Sequence, residues 1–335
     1  MTKIFLSHPP DKLAHYYGKR ATAALLAMAE VRFNPEDKEL SSQELADLAQ
    51  GCSVIISYRQ TAADEALFEA LPELLAFVRC AIDIRNVDVV AASRHGVLVT
   101  HASAGFVASV SEWIVGAMID LSRGISATTA LYHAGKVVVP SMGCELRGAT
   151  LGVIGYGQIS RYLCDVALAL GMRILVSDPH TPTDRADLVQ TSLTQLLRAS
   201  DYVVCLAAAT DATEDLMNDQ TFSLMKPTAF FVNASRGNLV DEAALIRALD
   251  GGVIAACALD VGRAPDQMPS PHVAAHPLVI ASPHVGGLTP PAIEHQAMET
   301  VAQFAEIIQG RVPKGAVNAG QAHRWRAAFG IPDIA

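Results

Sequence analysis

The sequence is short of several things, and each absence closes off a class of protein. Its six cysteines, at 52, 80, 144, 164, 205 and 257, include no CxxC pair. In a chain of 335 residues they read as small buried apolar side chains of a reducing compartment rather than a disulfide frame. Positive charge is not in excess: the net charge of -9 gives no footprint for nucleic acid or an anionic membrane surface. Long apolar runs are missing too. The most apolar helix-like stretch, "VASVSEWIVGAMIDL", carries Glu112 and Asp120 and is shorter than a bilayer requires. The start, "MTKIFLSHPP", is too short and wrongly flanked for a signal peptide. With 51% apolar and 18% charged residues the chain has material for cores and no signature of disorder. A soluble cytoplasmic protein of two domains is the expectation.

What is present is a repeated alternation of strand and helix. From Thr150 onward the candidate strands are 151–155, 173–177, 202–206, 229–233, 253–259 and 278–281. Leu163, Val166, Ala167 and Leu170 recur at helical spacing between the first two, and Gly171 supplies a stop. The strands are almost continuously apolar, as strands covered on both faces by helices must be. The fold class is therefore α/β, with a doubly wound parallel sheet. The first hundred residues repeat the theme on a smaller scale, with strands near 3–6, 31–33, 54–57, 76–80 and 97–100. Helix 107–123 leads into the larger sheet. After Thr289 and Pro290, a helix with Ile293, Ala297, Val301, Phe304 and Ile308 on one face follows the last strand and can cross back. The domains then read as 1–103 plus 290–335, discontinuous, around 104–289.

A further absence lies in "TLGVIGYGQISRYLC", where a strand breaks on Gly155 and Gly157 and turns helical without the usual third glycine. Gly155 permits the tight turn, and Gly157 lets a pyrophosphate approach the backbone at the helix N-terminus. Ser160 adds just a hydroxymethyl group, which the helix–strand contact can accommodate. Asp178, at the end of the next strand and 21 residues past Gly157, can accept ribose hydroxyls and would repel a 2′-phosphate. The turn is thus read as an NAD site rather than an NADP site.

At "FSLMKPTAFFVNASRGNLVDEAALIRAL", and again at "LGVIGYGQIS", "ASAGFVASVSEW", "ACALDVG" and "SPHVGGLT", the chain resembles the D-2-hydroxyacid dehydrogenase family. The likeness runs in order over roughly residues 50 to 318. It implies a Rossmann NAD domain, a smaller flavodoxin-like substrate domain split around it, an active site in the cleft, D-stereochemistry and a homodimer formed through the NAD domain. It also implies that Gln158, Ile159, Ala234 and Gly287 join Gly155, Gly157 and Asp178 around NAD, with Asp260 holding the nicotinamide carboxamide.

Oxidising a 2-hydroxy acid needs a hydride acceptor, a base for the hydroxyl proton and a cation for the carboxylate. Arg236 and His284 each follow a strand at the carboxyl edge of the sheet, where ligands sit. A guanidinium can grip a carboxylate bidentately, and an imidazole can exchange a proton near neutral pH. The resemblance predicts a Glu three residues after "LDVF" to pair with the histidine; here the sequence reads "LDVGRAPDQMP" and the aligned residue is Pro265. The Asp266 carboxylate, one place later, is the expected substitute, with Gln267 as the fallback and neither reaching His284 as the remaining possibility. The substrate loop departs as well. Where the family has Gly-x-Gly-x-Asp amides for the substrate carboxylate, "CAIDIR" places Ala81, Ile82, Asp83 and Arg85. Arg59 and Arg79 resemble positions where phosphoglycerate-oxidising members place phosphate-binding arginines, although two exposed arginines at strand ends would look the same.

No metal is expected: His272 and His276 in "PHVAAHP" have helical ligand spacing, but flanking prolines make the segment a loop without a carboxylate. With Ala335 as the last residue read, the regulatory C-terminal domain common in phosphoglycerate dehydrogenases is not expected. A 2-hydroxy-acid dehydrogenase is the leading reading, with 3-phosphoglycerate first among substrates, then glyoxylate and hydroxypyruvate. An NAD-sensing binding protein with little or no turnover is the rival, kept alive by the missing acid and loop glycines.

Overall fold

In the computed structural model, which describes residues 2–183 and 185–332, the chain divides into two compact units. One comprises Met1–Gly105 and Pro290–Ala335, the other Phe106–Thr289. Each is built on a wholly parallel sheet.

The smaller unit has β1 (Lys3–Leu6), β2 (Glu30–Phe33), β3 (Val54–Ser57), β4 (Ala76–Arg79) and β5 (Leu98–His101), in the order β2-β1-β3-β4-β5. Alternate residues serve opposite faces. Ile4, Leu6, Val54, Ile56, Ala76, Val78 and Leu98 join one core cluster, while Phe5, Ile55, Phe77 and Val99 join the other. That two-sided burial is why these strands lack a polar alternation. The helix Pro290–Ile307 brings Ala297, Val301, Phe304 and Ile307 onto the first cluster, beside the fully buried Trp325. Truncating one such aromatic side chain would cost about 3–5 kcal/mol.

The larger unit has β6 (Thr150–Ile154), β7 (Arg173–Ser177), β8 (Val189–Gln190), β9 (Tyr202–Cys205), β10 (Phe230–Asn233), β11 (Ala256–Leu259) and β12 (Val279–Ala281). Their order is β12-β11-β10-β9-β6-β7-β8, so the direction of winding reverses between β6 and β9. β8 was not anticipated: it is two exposed residues long and has no apolar pattern to read. "PHVAAHP" also departs from a loop, since Pro271–Ala274 forms a short helical turn with proline at its start. His276 then pairs with Asp250 at 3.2 Å. Five of the cysteines are buried, as their role in packing requires, whereas Cys144 is exposed. Among the described residues, no helix is long and apolar enough to cross a membrane.

Candidate active site

The glycine turn sits at the carboxyl end of β6, beside the reversal of winding. Gly155 has φ +90, and a Cβ there would lie 2.7 Å from the Ala207 Cα, so glycine is required twice over. Gly157 opens the helix Gln158–Ala169 with no side-chain cap, and a Cβ on it would meet no atom within 4 Å. An uncapped helix N-terminus facing open space suits a pyrophosphate. Ser160 is buried and donates its hydroxyl to the Gly155 carbonyl at 2.7 Å, so the missing third glycine has become a clasp on the turn. Gln158 and Ile159 form the first helical residues.

Asp178 takes the Tyr156 amide on Oδ2 at 2.7 Å and the His180 and Thr181 amides on Oδ1 at 2.8 and 2.9 Å. Partial burial opposes its charge, but the three amides outweigh that and hold the carboxyl below its ordinary range. A carboxylate offers about four lone-pair positions, so one remains for a ribose hydroxyl. The turn, the bare helix end and this carboxylate fit the adenosine half of NAD.

At the carboxyl ends of the neighbouring strands β10, β11 and β12 lie the other candidates. Arg236 follows β10. Asn233, buried at the strand end, donates Nδ2 to the Arg236 carbonyl at 2.9 Å and accepts the Ser235 amide at 3.1 Å. Ser235 anchors the same turn through its hydroxyl to the Ala207 carbonyl at 2.7 Å. Gly237 packs against the loop after β11 so closely that a Cβ would overlap Gly262, at 2.0 Å from its carbonyl carbon.

His284 follows β12 with φ +55, an uncommon conformation for a residue with a side chain. Asp260, which is 3% exposed, holds it there. Its Oδ1 accepts the Ser282 hydroxyl at 2.6 Å and the Val285 amide at 2.8 Å, and its Oδ2 accepts the Gly286 amide at 2.8 Å. The Asp260 carbonyl takes the His284 amide at 2.9 Å. Asp260 thus shapes the turn that carries the histidine, a role its position after β11 did not reveal. Ala234 is buried behind the same strand ends, and Gly287 lies against Phe106, where a Cβ would approach to 3.2 Å.

The histidine's partner differs from expectation. Its Nδ1 donates to the main-chain carbonyl of Asp266 at 2.7 Å, so the carbonyl and not the carboxylate occupies the imidazole's inner edge. The Gln267 side chain does not take over: its Oε1 accepts the Gly237 amide at 3.3 Å, beside Arg236.

In the smaller unit the candidate substrate residues are spread out. The Arg59 guanidinium lies over the Tyr16 ring, 5.1 Å from its centre. Arg79 is fully buried at the end of β4 and donates to the carbonyls of Tyr58 and Thr61, the Ser57 hydroxyl and Asn86. Burial pushes its pKa down to about 10. Arg79 is thus an internal staple held by four acceptors, and not the exposed strand-end arginine that was the alternative to a phosphate-binding one. The Ala81 carbonyl bonds the Ala102 amide at 3.1 Å, and Ile82 is partly exposed. Asp83 chelates Arg85 through both oxygens, at 2.7–3.1 Å.

Residues 115–286 match the model of the "D-isomer specific 2-hydroxyacid dehydrogenase, NAD binding domain". The chain is 32% identical over 286 residues to D-3-phosphoglycerate dehydrogenase 3, chloroplastic, of Arabidopsis thaliana, covering 84% of this chain and 49% of that one. It is 33% identical over 289 residues to D-3-phosphoglycerate dehydrogenase of Homo sapiens, covering 85% and 54%. The chain therefore spans about half the length of the curated relatives it matches. A putative D-isomer specific 2-hydroxyacid dehydrogenase from Polaromonas sp. JS6 66 shares the fold, with a TM-score of 0.87, 22% identity and coverage of 95% and 99%.

Proposed function

Because this chain belongs to the D-isomer specific 2-hydroxyacid dehydrogenase family and carries that family's NAD-binding domain, we propose that it interconverts a small D-2-hydroxy acid and its 2-oxo acid. The observation that carries this reading is the convergence of Arg236, the Asp266 loop and His284 on the carboxyl ends of three adjacent strands, beside a turn fitted for a dinucleotide. Bound there, NAD supplies the hydride acceptor. The Arg236 guanidinium grips the acid's carboxylate and polarises the oxygen at C2. With Nδ1 committed to a carbonyl, the neutral His284 ring leaves its Nε2 lone pair to take the hydroxyl proton, and returns it in reduction.

3-Phosphoglycerate is the first candidate substrate, ahead of glyoxylate and hydroxypyruvate. Its support is the likeness to phosphoglycerate dehydrogenases and Arg59 at the end of β3; Arg79, being internal, adds none. A homodimer through the larger unit is supported by its exposed apolar side chains Ile119, Ile125, Tyr132, Val137, Val139 and Met142. The five buried, unpaired cysteines accord with a cytoplasmic location.

Following absorbance at 340 nm with NADH across a panel of 2-oxo acids tests the reading. Turnover of at least one acid is expected. Tight NADH binding without turnover of any would leave a nucleotide-sensing protein on the same scaffold.

A further inference from the structure

The loop between β11 and the helical turn at Pro271 has an unusual construction. Its ends are tied by the Gly262 amide on the Gln267 carbonyl at 2.8 Å and the Ala264 amide on the Met268 carbonyl at 3.0 Å. Arg263 pins it from outside, bonding Glu242, the Val240 carbonyl, Glu214 and Asp215. At its tip two consecutive non-glycine residues are left-handed, Asp266 at φ +55 and Gln267 at φ +58. This double left-handed step carries the Asp266 carbonyl onto His284 Nδ1, while the next side chain accepts the amide of Gly237.

We propose that the Asp266–Gln267 dipeptide is the positioning device of this site, its backbone carbonyl fixing the His284 tautomer and its glutamine registering the Arg236 turn. A carbonyl oxygen can just accept, so Nδ1 must carry the hydrogen and Nε2 stays bare in the neutral ring. The family's acid would do the same and add a negative charge; here orientation is separated from charge. Conformation at position 266, rather than its carboxylate, then governs the histidine. Calling Nε2 the proton-exchanging atom rests on the dehydrogenase reading; the tautomer does not.

Two kinds of variant separate conformation from charge. Asp266→Asn and Asp266→Gly lose the carboxylate but accept positive φ, whereas Asp266→Val loses the carboxylate and resists positive φ. The readout is the ¹⁵N shifts of His284 in the full-length, histidine-labelled protein, identified by their loss in His284→Gln. A hydrogen bond of ordinary net strength shifts a tautomer ratio by up to roughly tenfold. Asp266→Asn and Asp266→Gly should keep Nδ1–H dominant, within about threefold of the parent ratio, while Asp266→Val should lower that ratio roughly tenfold. Loss of Nδ1–H in the Asn and Gly variants would return the role to the carboxylate and overturn the proposal. So would its persistence in a folded Val variant. Should that variant fail to fold, the other two still decide between carbonyl and carboxylate. As the shifts need no turnover, absent activity with a held tautomer would refute the dehydrogenase alone.

Discussion

The two sheets open with the same move and finish it differently. In each, the winding reverses beside the strand that starts the unit, β1 or β6, which is where open α/β sheets leave a crevice. After β6 comes Gly155-Tyr156-Gly157 and a helix end that no side chain caps. After β1 comes Ser7-His8-Pro9, and the protein fills the space itself. Ser7 bonds the Thr61 hydroxyl at 2.8 Å and the Tyr58 amide at 2.9 Å. His8, 2% exposed, sits with its ring 4.9 Å from Tyr17 and 5.3 Å from Tyr58. Topology provides the crevice; turn chemistry decides whether a ligand or the chain occupies it.

That contrast can be broken in four places. The largest effect is expected from His284→Gln, which should lower kcat/KM by about 10³-fold, roughly 4 kcal/mol, at unchanged NADH affinity by fluorescence titration. An equal fall in NADH binding would mean that the histidine serves the cofactor instead. Gly155→Ala comes next. Its Cβ would strike the Ala207 backbone at 2.7 Å in a left-handed conformation, so denaturant unfolding should show a loss of about 3 kcal/mol and NADH binding should collapse.

His8→Phe should act through pH. Burial first, and the Arg79 charge in addition, push the His8 pKa down to about 3 from 6.5. Between those values the unfolded chain binds a proton that the folded one excludes, so the residue erodes stability as pH falls below 6.5. At pH 4 the erosion is about 3 kcal/mol, and the Phe variant should lose that part of the acid limb in urea titrations. A slope identical to the parent's would show that His8 binds its proton equally in the folded and unfolded chain, and so is not held neutral by burial. Ser160→Gly is the mildest: restoring the usual glycine removes the hydroxyl clasp on Gly155, costing about 1 kcal/mol, with NADH affinity changed less than about threefold.

Much of this was legible in the sequence, for a physical reason. Strands such as Phe230–Asn233 and Tyr202–Cys205 are buried on both faces and so are apolar up to their last residue, and the candidate site residues follow such strands directly. Gly155, Asp178, Arg236 and His284 could therefore be singled out as candidates from strand ends. Val189–Gln190 could not, because an exposed two-residue edge strand needs no apolar side chain. The internal setting of Arg79 was hidden because two of its four acceptors are main-chain carbonyls, which every residue has. The same blindness hid the Asp266 carbonyl: main-chain groups and left-handed turns at non-glycine residues leave no mark on composition or periodicity.

The contact between Gly237 and Gly262 has a consequence for anyone reshaping this protein. A hypothetical methyl at 237 would lie 2.0 Å from the Gly262 backbone, and one at 262 would lie 2.5 Å from the Pro269 Cα of its own loop, so neither position can gain bulk without displacing the loop after β11. Diversity libraries aimed at new acids should therefore randomise 263–268 as one block and hold both glycines constant. Drift at either glycine would press on the loop that carries the Asp266 carbonyl to the imidazole, so in homologues both positions should stay glycine.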